Sequence, residues 1–286
     1  MRPNDIEFMI GLLYKRSGLA LTPDKEYLLE SRLGPIARSH GLDLDGLVAK
    51  LRLNPPENLL IEITDAMMTH ESSFFRDGKP FEHLRKTILP QLRAAAGTRR
   101  TLRIWSAACS TGQEAYSIAI TLLEDAVQHP GWNYEIIGTD IAIKVVEKAR
   151  QGLYSQFEAQ RGMPIQTLLK YFKQEGTSWQ ANDTLRSMAR FQVNNLLEDD
   201  PPAGLFDLVF CRNVLIYFDD AGKSLAIQHI HNALKPGGFF VMGSSETLRD
   251  AGQRFVPLEG IHGIYQKPEA IRPLRPAVQP HNSYST

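Results

Sequence analysis

From Thr101 to Gln266 short apolar runs alternate with amphipathic helical patterns, and this alternation constrains the fold more than any other feature of the chain. Thr101 to Ser106 reads as a buried strand and Gln113 to Val127 as a helix. A second strand over Tyr134 to Thr139 precedes a helix over Ile143 to Gln151. Strands are also predicted over Arg190 to Val193, Leu205 to Cys211 and Gly238 to Gly243, with a helix over Ala221 to Leu234 between the last two. Such a chain winds a parallel α/β sheet in both directions and binds its ligand beyond the carboxyl ends of the strands. Arg254 to Pro257 and Gly263 to Gln266 read as a terminal hairpin.

Residues 1–75 carry helical periodicity and no strand pattern. Ile6, Met9, Ile10 and Leu13 form one stripe, with Asn4 or Asp5 as candidate cap. A second helix is predicted from Pro23 or Asp24 to Leu33, ended or kinked by Gly34-Pro35. Leu44 to Leu51 and Glu57 to Met67 complete a small helical bundle. Residues 76–100 form a basic linker, helical over Phe81 to Leu92, in which most charges read as a solvated face. A helix is predicted over Met163 to Phe172. Around 173–190 a weak alternation predicts a small antiparallel β insertion. Residues 268–286 hold prolines among polar residues and are expected to be a disordered tail.

Lysine plus arginine and aspartate plus glutamate each total 32, so no global charge draws the chain toward nucleic acid. No apolar stretch is long enough to span a bilayer, no signal peptide opens the chain, and a cytoplasmic protein is expected. Cys109 and Cys211 sit at predicted strand ends and read as buried free thiols, without the spacing of a metal site.

The run from Ile104 through Ala107, Ala108, Cys109 and Ser110 to Gly112 and Glu114 is a strand, a small-residue loop and a helix start. Small side chains let the backbone approach a ligand, and the helix start offers free amides. A dinucleotide fingerprint needs three spaced glycines, whereas this loop has Gly112 alone, which disfavours a pyrophosphate. An amino-acid moiety fits better. Asp140 ends the next strand, where it can bind a ribose diol or cap the following helix. Asn194 to Leu197 follow another strand and can meet a base. Arg212 and Asn213 end a further one, either as pocket groups or as turn caps.

Together these segments resemble the chemotaxis receptor methyltransferase family, CheR. The matching blocks are Thr69 to Arg76, Trp105 to Ala119, Gly138 to Ile141, Asn195 to Leu197 and Phe210 to Phe218, with the more widespread Leu234 to Gly238. The resemblance spans about residues 5–267. It implies a small all-α N-terminal domain that recognises a receptor, and a Rossmann-like methyltransferase sheet with an antiparallel last strand over 101–267. It also implies S-adenosylmethionine as cofactor, S-adenosylhomocysteine as product, and no metal. Carried onto this chain, the cofactor contacts are His70, Ser72 and Arg76 from the linker, Ala107 in the loop, Glu114 at the amino-acid end and Asp140 at the ribose. Asn195 and Leu196 lie beside the adenine, and Arg212 and Asn213 complete the pocket. His70 stands where other members often carry asparagine.

The reaction so implied is esterification of glutamate side chains on the helical cytoplasmic bundle of a chemoreceptor. A glutamate is already ionised at neutral pH, with a pKa of about 4.3, so the nucleophile needs no general base. Arg76 and Tyr217 are the candidate catalytic residues, orienting the carboxylate by hydrogen bonds. Lys25 and Arg32, seven residues apart, share a helix face and with Arg38 form the candidate receptor-binding surface. A glycine-poor 173–190 segment predicts independence from a receptor C-terminal pentapeptide tether, and a monomer is expected. The alternatives are a methyltransferase for another protein or small molecule, and a non-catalytic cofactor-binding regulator.

Overall fold

The computed structural model describes residues 1–248 and 254–269. Ten strands are described: β1 (Thr101–Ala107), β2 (Asn133–Asp140), β3 (Leu153–Ser155), β4 (Phe172–Glu175), β5 (Ser178–Ala181), β6 (Ala189–Val193), β7 (Phe206–Cys211), β8 (Leu234–Met242), β9 (Val256–Pro257) and β10 (Ile264–Gln266). Seven of them form one sheet in the order β6-β2-β1-β7-β8-β10-β9. The first five pair in parallel, and β10 runs antiparallel to β8. The winding reverses between β1 and β7, whose ends meet at Ala107 and Cys211. That switch point opens a crevice at the carboxyl edge.

Alternation within β1 explains why its strand sequence is apolar throughout. Ile104 packs into one core with Ile118, Leu122 and Ile136, while Trp105 packs into the opposite core with Val209 and Phe240. Both Cys109 and Cys211 are buried and free. The carboxylate of Asp207 in β7 ties strands and linker together. It accepts from Arg99 (2.7 Å), the Arg103 amide (2.8 Å) and Lys235 (2.9 Å). Burial alone would raise this carboxyl, but those donors together hold it below its ordinary pKa.

The N-terminal bundle comprises α1 (Pro3–Ser17), α2 (Glu26–Ser39), α3 (Leu44–Leu53) and α4 (Glu57–Met67) around Met9, Leu13, Leu29, Leu33, Leu47 and Ile63. Neither Asn4 nor Asp5 caps α1. Arg2 is the N-cap, because Pro3 supplies the φ that the first helical turn needs. Gly34-Pro35 does not end α2. Gly34 has no Cβ to collide with the proline ring, and Ser31 and Pro35 face solvent, where water can meet the carbonyl that Pro35 leaves unpaired.

The antiparallel insertion is larger than its alternation implied. Its order is β3-β5-β4, so it starts at Leu153 and ends at Ala181 rather than covering 173–190. A three-residue strand such as β3 is too short to show a period. The segment after it is a short helix, Asp183–Met188, capped by Asn182, and then β6. Phe74, fully buried, packs edge-on against Tyr154 and Phe172 of the insertion. The Pro-rich tail lies, from residue 270 onward, outside the described residues. No helix among the described residues is long and apolar enough to cross a membrane.

Candidate active site

Between the bundle and the carboxyl edge of the sheet lies a cleft enclosing about 1050 Å³ of empty space, part of it open to solvent. His70, Ser72, Arg76, Glu114, Asp140, Asn195, Leu196, Arg212, Asn213 and Tyr217 all line it. Ala107 does not. It is 1 % exposed in β1, and its neighbour Ala108 forms the wall instead. Gly112 likewise serves packing, since a Cβ there would come within 2.9 Å of Ala149 Cβ.

The loop segments around the cleft adopt uncommon backbone conformations. Among the described residues, the non-glycine positions with positive φ are Phe75 and Asp77 in the linker, Ala108 and Ser110 after β1, and Asn213 after β7. Each conformation costs on the order of 1–3 kcal/mol, so tertiary bonds must hold it. Ser110 is held by its amide to Asp140 (2.9 Å) and its hydroxyl to the His70 carbonyl (2.9 Å). Asp140 also accepts from the Ala142 amide (3.1 Å). His70 Nε2 in turn donates to the Asp65 carbonyl (3.2 Å).

Arg212 is a buttress as well as a wall. With its side chain 1 % exposed, it donates to Glu114 (3.0 Å), Asp77 (2.7 Å) and the Arg76 carbonyl (2.9 Å). It therefore fixes the linker turn that presents Arg76. Glu114 also accepts from Ser106 Oγ (2.7 Å). Burial dominates its titration and raises its pKa against the opposing pull of Arg212. Burial raises Asp140 too, against the amides of Ala142 and Ser110. Two desolvated carboxyls on one edge favour a ligand that brings positive charge and hydroxyls.

Asn195 spends its side chain at the domain seam, donating to the Arg16 carbonyl (3.0 Å) and accepting from the Leu197 amide (3.1 Å). Its neighbour Asn194, also a cleft residue, has a buried Oδ1 without a hydrogen-bond partner among the described residues. A buried acceptor left free beside a cavity is what a ligand donor completes. Arg76 makes one side-chain hydrogen bond among the described residues, to the Glu71 carbonyl (2.9 Å), and stands half-buried at the cleft. Tyr217 is half-buried and packs against the cores of both domains.

None of the three receptor-face residues lines the cleft. Lys25 pairs with Asp24 (3.1 Å), and Arg38 is exposed on α2. Arg32 is committed elsewhere: it donates to the Met67 carbonyl (2.6 Å), the Met68 carbonyl (3.2 Å) and Thr69 Oγ1 (3.2 Å), closing the end of α4. Sequence reasoning missed Glu246, whose buried carboxylate binds the loop after β7. A glutamate three residues beyond a strand-end glycine is the only local trace of it.

Comparison with known proteins agrees with this geometry. Residues 70–264 match the family model "CheR methyltransferase, SAM binding domain", and residues 4–68 match "CheR methyltransferase, all-alpha domain". The chain is 36% identical over 264 residues to chemotaxis protein methyltransferase 1 of Pseudomonas aeruginosa, covering 91% of this chain and 96% of that one. It is 35% identical over 259 residues to a chemotaxis protein methyltransferase of Vibrio parahaemolyticus, covering 89% and 93%. With one from Borreliella burgdorferi it shares 32% over 253 residues, covering 86% and 89%. The chain belongs to the CheR family of S-adenosylmethionine-dependent methyltransferases.

Proposed function

We propose that this protein esterifies glutamate side chains on the cytoplasmic helical bundle of a chemoreceptor, acting as a monomer in the cytoplasm. The observation that carries the reading is the convergence of linker, loops and bundle on one cleft, with the carboxyls of Glu114 and Asp140 inside and Arg76 and Tyr217 at its wall. S-adenosylmethionine, when bound, supplies a methyl group already activated on a sulfonium. Glu114 would hold the amino-acid end of the cofactor and Asp140 its ribose. Leu196 and Asn194 Oδ1 would meet the base, with His70 and Ser72 closing the cleft from the linker.

The residues of the chain do no proton transfer in this reaction. Once bound, the cofactor would supply its methyl carbon to a glutamate carboxylate held by the chain, the carbon–sulfur electron pair remaining on sulfur. Arg76 and Tyr217 orient the carboxylate in line with that bond, where approximation is worth roughly 7–11 kcal/mol. Their hydrogen bonds must steer the nucleophile without quenching it. Lys25 and Arg38 on the bundle are the proposed basic contacts to the receptor. The turn between β4 and β5 holds Gly176 alone, so methylation proceeds without a C-terminal pentapeptide tether.

The test is calorimetric titration with S-adenosylmethionine, S-adenosylhomocysteine and NAD, followed by S-adenosylhomocysteine release in the presence of receptor cytoplasmic fragments. Binding of both adenosyl ligands but not NAD, with release that depends on receptor and yields base-labile methyl esters, is expected. Binding without release marks a non-catalytic regulator, and release with another acceptor only marks a different substrate.

A further inference from the structure

Glu246 is 4 % exposed, and none of the ion pairs among the described residues includes it. A buried carboxylate without a cation is costly unless hydrogen bonds fill its lone pairs. Here backbone amides do so. Oε2 accepts from Asn213 (2.8 Å) and Gly243 (2.8 Å), and Oε1 from Val214 (3.0 Å) and Leu215 (2.9 Å). A carboxylate offers about four acceptor sites, so the set is complete. Asn213 has φ 59° and Val214 φ −125°, ψ −37°, and across this change of φ sign the neighbouring amides converge on one carboxylate. At Gly243 a Cβ would lie 2.6 Å from Oε2, so only glycine lets the carboxylate reach the loop.

We infer that Glu246 is a positioning residue for methyl transfer: it fills the anion nest behind the loop after β7 and so fixes the wall the methyl acceptor meets. The inference rests on the cleft being the methyl-transfer site. The loop held this way carries Asn213, Val214 and Tyr217 into the cleft. Without Glu246 the left-handed Asn213 loses the bonds that offset its strain, and the three-residue turn Leu215–Tyr217 loses its anchor. Filling the nest from inside also has a chemical consequence. Four converging amides would bind a substrate carboxylate tightly and lower its nucleophilicity. With the nest occupied, the acceptor meets side-chain donors alone.

The experiment is Glu246→Gln in the full chain, read by kcat and KM for a receptor cytoplasmic fragment, by calorimetric Kd for S-adenosylhomocysteine, and by thermal unfolding. An amide keeps the size but presents N–H groups to backbone N–H groups. The expected result is a fall in kcat of about tenfold to hundredfold, matching one or two lost charge-assisted bonds, with Kd for S-adenosylhomocysteine within about threefold of wild type. Unchanged kcat, or equal losses in kcat and in cofactor affinity, overturns the inference. If the glutamine variant does not fold, Glu246→Asp, which keeps the charge but shortens its reach to the loop amides by one methylene, is read the same way with the same two outcomes. Failure of the wild-type protein to bind S-adenosylhomocysteine would instead sink the underlying reading of the cleft.

Discussion

Glu114 and Arg76 show how differently two charged residues of one cleft are held. Glu114, its side chain 12 % exposed, accepts from both Ser106 and Arg212, and its pKa is raised first by desolvation. A carboxyl whose folded pKa is raised binds its proton more tightly in the folded state, so it costs stability once pH climbs past the ordinary carboxylate range. A bound cation reverses that cost by favouring the ionised form. Affinity for S-adenosylmethionine is therefore expected to rise from mildly acidic to neutral pH and then level off. Glu114→Gln should flatten the profile and weaken binding roughly tenfold or more, Asp140 accounting for the pH dependence that remains. Calorimetry across pH checks this, and a flat wild-type profile would refute it. Arg76 is half-buried with one backbone bond, so Arg76→Ala should cost less than about 0.5 kcal/mol of stability. Its turnover should nevertheless fall by more than about tenfold, since an orienting donor is lost. Near-wild-type methyl transfer would remove Arg76 from the mechanism.

At the scale of elements, the sheet is braced where charge enters it. Asp207 draws Arg99 from the linker, Lys235 from the start of β8 and the amide of Arg103 in β1 onto one strand. Its pKa lies below the ordinary carboxylate value, so it contributes stability that is present above the unfolded pKa and lost as pH falls through the folded one. Asp207→Asn should cost about 2 kcal/mol near neutral pH, below the ~3–5 kcal/mol of a fully buried pair, because Arg99 is 43 % exposed and can rehydrate. Denaturant unfolding should show wild type and variant converging in acid, and a constant gap would disprove the assignment. The central strands β1, β2 and β7 were legible because each contains a local apolar run. Helix Ile143–Gln151 and α4 fall on their predicted bounds for the same reason. Asp207 and Glu246 were not legible, because their partners are gathered from distant positions by the completed sheet. The same holds for Arg32: it lies in α2, whereas Lys25 precedes that helix, and its guanidinium is taken by the end of α4. Periodicity tells which face a residue occupies, not what already occupies its hydrogen bonds.

The whole molecule depends on a seam that also walls the cleft. The end of α1 docks on the catalytic domain through the Ala20 amide to the Tyr217 carbonyl (2.9 Å), Asn195 to the Arg16 carbonyl (3.0 Å) and Tyr14 to Asp219 (3.0 Å). Ser17 and Leu19 there face the cleft, so cofactor affinity and domain docking share residues. Gly18 sits at the tightest point of the seam. Its φ is 70°, and a Cβ would lie 2.1 Å from Leu197 Cδ1 and 3.3 Å from Phe218. Gly18→Ala should therefore strain the backbone by about 1–3 kcal/mol and push the bundle off the sheet. Because each domain keeps its own core, the expected result is loosening rather than collapse. Cofactor affinity should fall, and the linker between Met68 and Arg76 should become easier to cleave by protease. Saturating S-adenosylhomocysteine should restore protection, since a ligand that touches both walls binds the docked form preferentially. Weakened affinity without added cleavage would place the damage inside the pocket, and unchanged affinity would show that the bundle contributes nothing to holding the cofactor.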